Sequence, residues 1–154
     1  MRRRSFLQAF GSAAALTPLI GSGLLKPQAA LAANSRRAAF EAQTALDALR
    51  LLGAGAAEQN VALTIRAPEI AENGAAVPIE GISTIADTTS LSVLVDKNPF
   101  PLIVQFSFGP EVLPRFQTRI KMAESSRLRL VAKAGGKFYT VFRDVKVTVG
   151  GCGE

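Results

Sequence analysis

Arg127-Leu128-Arg129-Leu130-Val131, followed a few residues later by Gly135-Gly136 and the apolar run from Lys137 to Arg143, is the stretch on which the fold turns. Leu128 and Leu130 point to one side of an extended chain, while Arg127, Arg129 and Val131 point to the other. That period of two belongs to a half-buried strand. Gly135-Gly136 is a two-residue hairpin signal, because the favoured turn needs positive φ at both central residues. Lys137 to Arg143 is then the returning strand, and Val145 to Val149 is the last one. Tyr139 lies in an apolar strand and reads as core.

The same period recurs upstream. Val61, Leu63 and Ile65 alternate with Ala62, Thr64 and Arg66, and Asn73-Gly74 bounds an extended segment from Ala75 to Ile82. Leu91, Val93 and Val95 alternate in turn, Lys97-Asn98-Pro99 reverses the chain, and Gly109-Pro110 closes Leu102 to Phe108. Phe116 to Met122 alternates basic with apolar residues. Seven to eight short strands between Val61 and Val149, with no helical segment separating them, predict a mostly β chain. The expected architecture is an immunoglobulin-like antiparallel β-sandwich. A small barrel is the alternative. The Cys-Trp-Cys signature of antibody domains is absent, so this likeness is one of architecture.

Ahead of the strands the period is helical. Asn34 and Ser35 are N-cap types, and Arg36 to Leu52 is helix-forming, with Phe40, Leu46, Leu49 and Leu52 along one face. Gly53 and Gly55 end it. The expectation is one N-terminal helix within residues 33–60, packed on its own domain or on a partner.

The chain begins Met-Arg-Arg-Arg-Ser-Phe-Leu. A modest apolar stretch follows, and then the small-residue run Ala29-Ala30-Leu31-Ala32-Ala33. A basic head, an apolar middle and an Ala-x-Ala site describe a bacterial export signal. Arg3, Arg4, Phe6 and Leu7 match its twin-arginine form, with cleavage expected after Ala32 and the periplasm as destination. A membrane anchor fits poorly: a span needs about 20 consecutive apolar residues, and Pro18 and three glycines interrupt this one. Residues 1–32 carry Arg2, Arg3, Arg4 and Lys26 and no acid. Their removal takes the formal net charge from +6 to +2 and leaves little support for nucleic-acid binding.

Composition excludes much chemistry. With no histidine, Ser-His-Asp and Cys-His mechanisms and most zinc sites are unavailable. One cysteine permits neither an intramolecular disulfide nor a cysteine-cluster metal site. No phosphate-binding or dinucleotide fingerprint is present, and no bound cofactor is expected. Asp87 and Asp96 sit near strand ends and read as turn residues. Arg115, Arg119, Lys121, Arg127 and Arg129 form a basic stretch, read as a solvated sheet face or as a surface that attracts an anion.

The exception is the end, Gly150-Gly151-Cys152-Gly153-Glu154. The only thiol stands three residues beyond the last expected strand, on glycines that allow the widest range of backbone angles. Such a 150–154 arm is expected to be mobile, whereas structural cysteines are usually buried. A free thiol in an oxidising compartment forms mixed disulfides. A frayed tail with an accidental cysteine is therefore a poor explanation. Prenylation needs three residues after the cysteine, and two follow.

With these features the chain resembles the SoxY family, the sulfur-carrier subunit of the periplasmic Sox thiosulfate-oxidation system. The resemblance rests on Arg3-Arg4, the strands between Val61 and Val149, and Gly150-Gly151-Cys152-Gly153. It also rests on Ala67 to Gly74, Lys97-Asn98-Pro99, Thr118 to Met122 and Asp144 to Val149. It implies that Cys152 holds sulfur intermediates covalently, with Gly150, Gly151 and Gly153 as its arm and no catalysis by the chain itself. It implies a heterodimer with SoxZ. It further implies transient encounters with haem-containing SoxAX, which couples thiosulfate to the thiol, with SoxB, which releases sulfate, and, where present, with SoxCD, which oxidises the remaining sulfane sulfur. Glu154 departs from the family's glycine end and puts extra negative charge near the thiol. Two other readings stay open: a periplasmic interaction domain that dimerises through a Cys152 disulfide, and a thiol enzyme, which the lack of histidine disfavours.

Overall fold

The computed structural model describes Asn34 and residues 36–149. The expected signal residues Arg3, Arg4, Phe6 and Leu7, and the cleavage point after Ala32, lie outside the described residues. The described chain belongs to one compact unit that begins at Asn34.

Residues 36–41 are helical (α1), and a second helix, α2, runs Ala45–Leu51. The strands are β1 (Glu58–Gln59), β2 (Leu63–Arg66), β3 (Ile70–Ala71), β4 (Val77–Ser83), β5 (Thr88–Val95), β6 (Leu102–Ser107), β7 (Arg115–Ile120), β8 (Ser126–Ala134) and β9 (Lys137–Val147). They form two sheets and no closed barrel. The larger has the order β1-β9-β8-β5-β6 with β3 also paired to β9, and the smaller has the order β2-β4-β7. The expected two-sheet, mostly β architecture is present, and all pairings are antiparallel except β1 and β3 against β9.

The hairpin that anchors this reading is built as its glycines require. Gly135 and Gly136 have φ of 55° and 77°, and Ala134 faces Lys137. Leu128 and Leu130 are fully buried between the sheets, whereas Arg127 and Arg129 lie on the outer face. The last two expected strands are one: β9 passes through Asp144 without a break, because β8 pairs with it from Lys137 to Val145. Tyr139 is half-buried against the core between the sheets.

On the central strand of the smaller sheet a glycine is required by packing. Gly81 sits opposite Phe116, whose ring lies where a Cβ would stand. That ring stacks on Phe106 of the other sheet, centroids 4.4 Å apart and 21° between planes. The pair closes the sandwich on the β6–β7 side.

The single helix expected from Arg36 to Leu52 is divided. Thr44 leaves helical geometry (φ −126°, ψ 146°), and its Oγ1 accepts from the Asp47 N–H at 3.1 Å while donating to Asp47 Oδ2 at 2.7 Å. Thr44-x-x-Asp47 is a capping signal that starts a new helix. The division changes which face is buried. Ala39, Ala42, Ala48 and Ala54 are buried, and with Leu49, Leu52 and Phe138 they pack on Leu94, Leu102 and Val131. Phe40 and Leu46, expected on the buried face, are 38% and 53% exposed. The helices therefore pack on their own domain and cover the outer face of the larger sheet. That is why β5 is buried on both faces near its end.

Candidate functional site

Gly150, Gly151, Cys152 and Gly153 lie outside the described residues. The base from which they leave is within them. Two flanks hold the end of β9. On one, Lys146 N–H donates to Glu69 O (2.9 Å) and Thr148 N–H to Ala71 O (3.0 Å), while Thr148 Oγ1 donates to Glu72 O (2.8 Å). Gly74 N–H donates to Val149 O at 2.8 Å. On the other flank Val147 N–H donates to Ser125 Oγ at 2.9 Å.

These bonds belong to a closed circuit around one end of the sandwich. Gly74 O accepts from Met122 N–H at 2.8 Å. The buried Asn98 donates through Nδ2 to Lys121 O (2.8 Å) and accepts through Oδ1 from Ala123 N–H (2.9 Å). Lys97 N–H donates to Ser126 Oγ at 3.0 Å, next to the Ser125 that holds Val147. Asn73 shapes the Gly74 turn by accepting from Ala75 N–H at 2.8 Å. The four stretches Ala67–Gly74, Lys97-Asn98-Pro99, Thr118–Met122 and Asp144–Val149 are far apart in sequence. They meet here and tie both sheets to the residue that precedes the glycine arm. Cys152 is three residues beyond Val149, so its Cα can stand at most about 11 Å from this base, at ~3.3–3.6 Å per residue.

The expected basic stretch divides. Arg115 pairs with Glu80 (Nη2 to Oε1, 2.6 Å), and Arg66 reaches the other carboxylate oxygen at 3.0 Å. Gln117 Nε2 also donates to Glu80, at 3.2 Å. Burial acts to raise the Glu80 pKa, but the hydrogen bonds and charges of Arg115 and Arg66 prevail and hold it below its ordinary value. Arg129 makes a bidentate pair with Asp96 at 2.7 and 2.9 Å. The hydrogen bond to Asp96 raises the Arg129 pKa above its ordinary value, against the opposing effect of burial. Arg127 lies 4.3 Å above the Phe142 ring and 3.5 Å from Asp144. Arg115, Arg127 and Arg129 of the expected stretch are thus structural. Arg119 and Lys121 are exposed and, like Lys146, enter no ion pair among the described residues; Glu72 is an unpaired acid at the same end. Asp87 stands in a turn at φ 56°, while Asp96 is an ion-pair partner rather than only a turn residue.

Among the described residues no group of three His, Cys, Asp or Glu side chains is placed to hold a metal. No helix among them is long and apolar enough to cross a membrane. The hydrogen-bond circuit itself escapes sequence reading, because it is made largely of backbone groups. The one sequence signal for it is the cluster of Asn73, Asn98, Ser125 and Ser126 at turns.

A family model described as sulfur oxidation protein SoxY matches residues 48–152. No curated protein matches the chain. Among solved structures, the sulfur carrier protein SoxY from Chlorobium limicola f thiosulfatophilum is 36% identical, with a TM-score of 0.63, over 73% of this chain and 98% of that one. A superoxide reductase (neelaredoxin) from Ignicoccus hospitalis has a TM-score of 0.50 at 14% identity, over 60% of this chain and 82% of that one, a likeness of fold alone. The family match runs from α2 through the closed end of the sandwich to Cys152, and the chain belongs to the SoxY family of sulfur oxidation proteins.

Proposed function

We propose that the chain is a covalent sulfur carrier: Cys152 binds sulfur intermediates of thiosulfate oxidation, and the Gly150-Gly151-Cys152-Gly153 arm presents them to partner enzymes. The observation that supports this reading is the convergence of four separate stretches on the end of β9, which holds Val149 three residues before the only cysteine of the sequence.

The chemistry divides between carrier and partners. Joining thiosulfate to the thiol forms an S–S bond and releases one proton and two electrons. The carrier contributes the nucleophile, and a redox partner takes the electrons. A free thiol has a pKa of about 8.5, so at neutral pH only a few per cent is thiolate, and activation falls to the partner's site. Arg119, Lys121 and Lys146, which enter no ion pair among the described residues, favour approach of a dianion to this end. The partners in this reading are SoxZ as a stable subunit and SoxAX, SoxB and, where present, SoxCD as transient ones. The setting is the periplasm, reached through the twin-arginine signal at Arg3 and Arg4, with residues 1–32 removed. No bound cofactor enters the scheme, and the chain does not turn over by itself.

The test is intact mass after incubation with SoxZ, SoxAX, thiosulfate and an electron acceptor. The wild-type chain gains sulfur-containing mass that a reductant removes, and Cys152→Ser gains none. An adduct that persists in Cys152→Ser would falsify the assignment. A disulfide dimer that never takes up sulfur would favour the interaction-domain reading.

A further inference from the structure

The outer faces of the two sheets are unlike. Helices cover part of the outer face of the larger sheet. That of the smaller sheet is open, with Arg66, Pro78, Gln117 and Arg119 exposed on it. Residues that face one another across a ladder share a side of the sheet. Here Arg66 faces Glu80, Glu80 faces Gln117, and Pro78 faces Arg119. A cavity of about 780 Å³ lies over these residues, with Pro68 in its wall. That size suits a short peptide better than a single small ion. Glu80, at its floor, is already engaged by Arg66, Arg115 and Gln117. Arg66 donates to it through Nη1, one of several guanidinium donors, and Arg119 enters no ion pair among the described residues. The formal charges of Arg66, Arg115, Arg119 and Glu80 sum to +2.

We propose that this cavity docks residues 150–154 of the same chain when Cys152 carries a cargo that ends in a sulfonate. The nature of the cargo rests on the carrier reading. Three observations select this occupant. The first is charge: thiosulfate joined to Cys152 leaves one negative charge on the sulfonate, and Glu154 adds a second, so the loaded arm brings −2 to a site of +2. The empty arm brings only the Glu154 charge and is held less well. The second is continuity with the base of the arm. Pro68 is followed by Glu69, whose carbonyl accepts from Lys146 N–H, and Arg119 leads to Met122, whose N–H donates to Gly74 O; Gly74 N–H in turn donates to Val149 O. The third is reach. Glu154 is five residues beyond Val149 and Arg119 three before Met122, and five residues span up to about 18 Å. Exposed ion pairs are weak by themselves, but a short tether keeps the partners at high effective concentration. Docking holds the sulfonate-ended cargo away from stray thiols, and undocking precedes entry into a partner's site.

The test needs no thiosulfate. The full chain has one thiol, which is capped with either a 2-sulfonatoethyl disulfide or a neutral methyl disulfide. Each cap is formed by the matching methanethiosulfonate with release of methanesulfinate. Removal of the cap by dithiothreitol is followed by mass at low salt. With the sulfonate cap, the wild type should be reduced at least about threefold more slowly than Arg119→Gln, the effect of two exposed ion pairs closed by a short tether. High salt should abolish the difference. With the neutral cap the difference shrinks to what Glu154 alone supplies, and it vanishes when Glu154→Gln is added. The amide resonances of Gln117, Thr118 and Arg119 should shift with the sulfonate cap and far less with the neutral one. Equal removal of the sulfonate cap from wild type and Arg119→Gln, or a difference that is the same for both caps, overturns the proposal. So do shifts at these amides that arise only on adding another protein. Because the caps are attached chemically, failure here leaves the carrier reading standing, and failure of thiosulfate loading leaves this docking measurable.

Discussion

Removing the two side chains that clamp the end of β9 should loosen the base of the cysteine arm. Ser125→Ala deletes the acceptor of the Val147 N–H, and Thr148→Val deletes the donor to Glu72 O while keeping a β-branched side chain. Each bond contributes about 0.5–1.5 kcal/mol. The double variant therefore lowers the free energy of fraying from Val145 onward by ~1–3 kcal/mol, about a 5- to 150-fold increase in the frayed population. Fraying also lengthens the tether, from three residues after Val149 to seven after Val145. Effective concentration falls roughly as the −3/2 power of tether length, so a fully frayed arm delivers the thiol to a docked partner about 3- to 4-fold less well. Hydrogen exchange by NMR reads the first effect: the Lys146 and Thr148 amides, whose own backbone bonds are untouched, should exchange faster. The loading rate by SoxAX reads the second and should fall by no more than that factor, with reaction towards a small thiol reagent unchanged. Unaltered exchange at Lys146 and Thr148 would refute the reasoning, because the strand end would then be held by backbone pairing alone.

Three further outcomes are expected. Gly81→Ala drives a Cβ into the Phe116 ring, which is held by its stack on Phe106, and should destabilise the fold by about 1–3 kcal/mol in urea titrations; wild-type stability would mean the ring moves freely. Because the folded-state pKa of Glu80 lies below its ordinary 4.5, its contribution is complete above that value and is lost as pH falls through the folded one. Glu80→Gln should therefore flatten that part of the acid limb of a stability profile, and an unchanged limb would show that Glu80 does not shape it. Glu154→Gly removes a negative charge near the thiol and should speed thiosulfate loading roughly two- to threefold at low salt, with the difference shrinking as salt is added; equal rates would remove any role for that charge.

Local patterns make much of the fold legible. Gly135-Gly136 announces the β8–β9 hairpin because only residues tolerant of positive φ fit that turn, and the alternation of Leu128 and Leu130 with arginines assigns faces to β8. The helical region misleads for a reason the sequence contains. Thr44 and Asp47 form a capping pair, but Phe40, Leu46 and Leu49 supply a louder helical period; of these only Leu49 packs on the core, and alanines take the full burial. β1 and β3, two residues each, have no periodicity to detect and exist because β9 offers an edge. The long-range ion pairs, Glu80 with Arg66 and Arg115 and Asp96 with Arg129, depend on strand register, which a single sequence does not state. Cys152 stands out by position and by glycine neighbours. The circuit beneath it does not, because its side chains bond to backbone groups far away in sequence.

The central claim is tested most directly on protein taken from thiosulfate-oxidising cells, by mass spectrometry of the C-terminal peptide that contains Cys152. The carrier account predicts a sulfur-containing adduct on that cysteine, released by reductant and dependent on growth with thiosulfate. A C-terminal peptide that is unmodified, or carries only a disulfide to a second copy, in cells actively oxidising thiosulfate would contradict it.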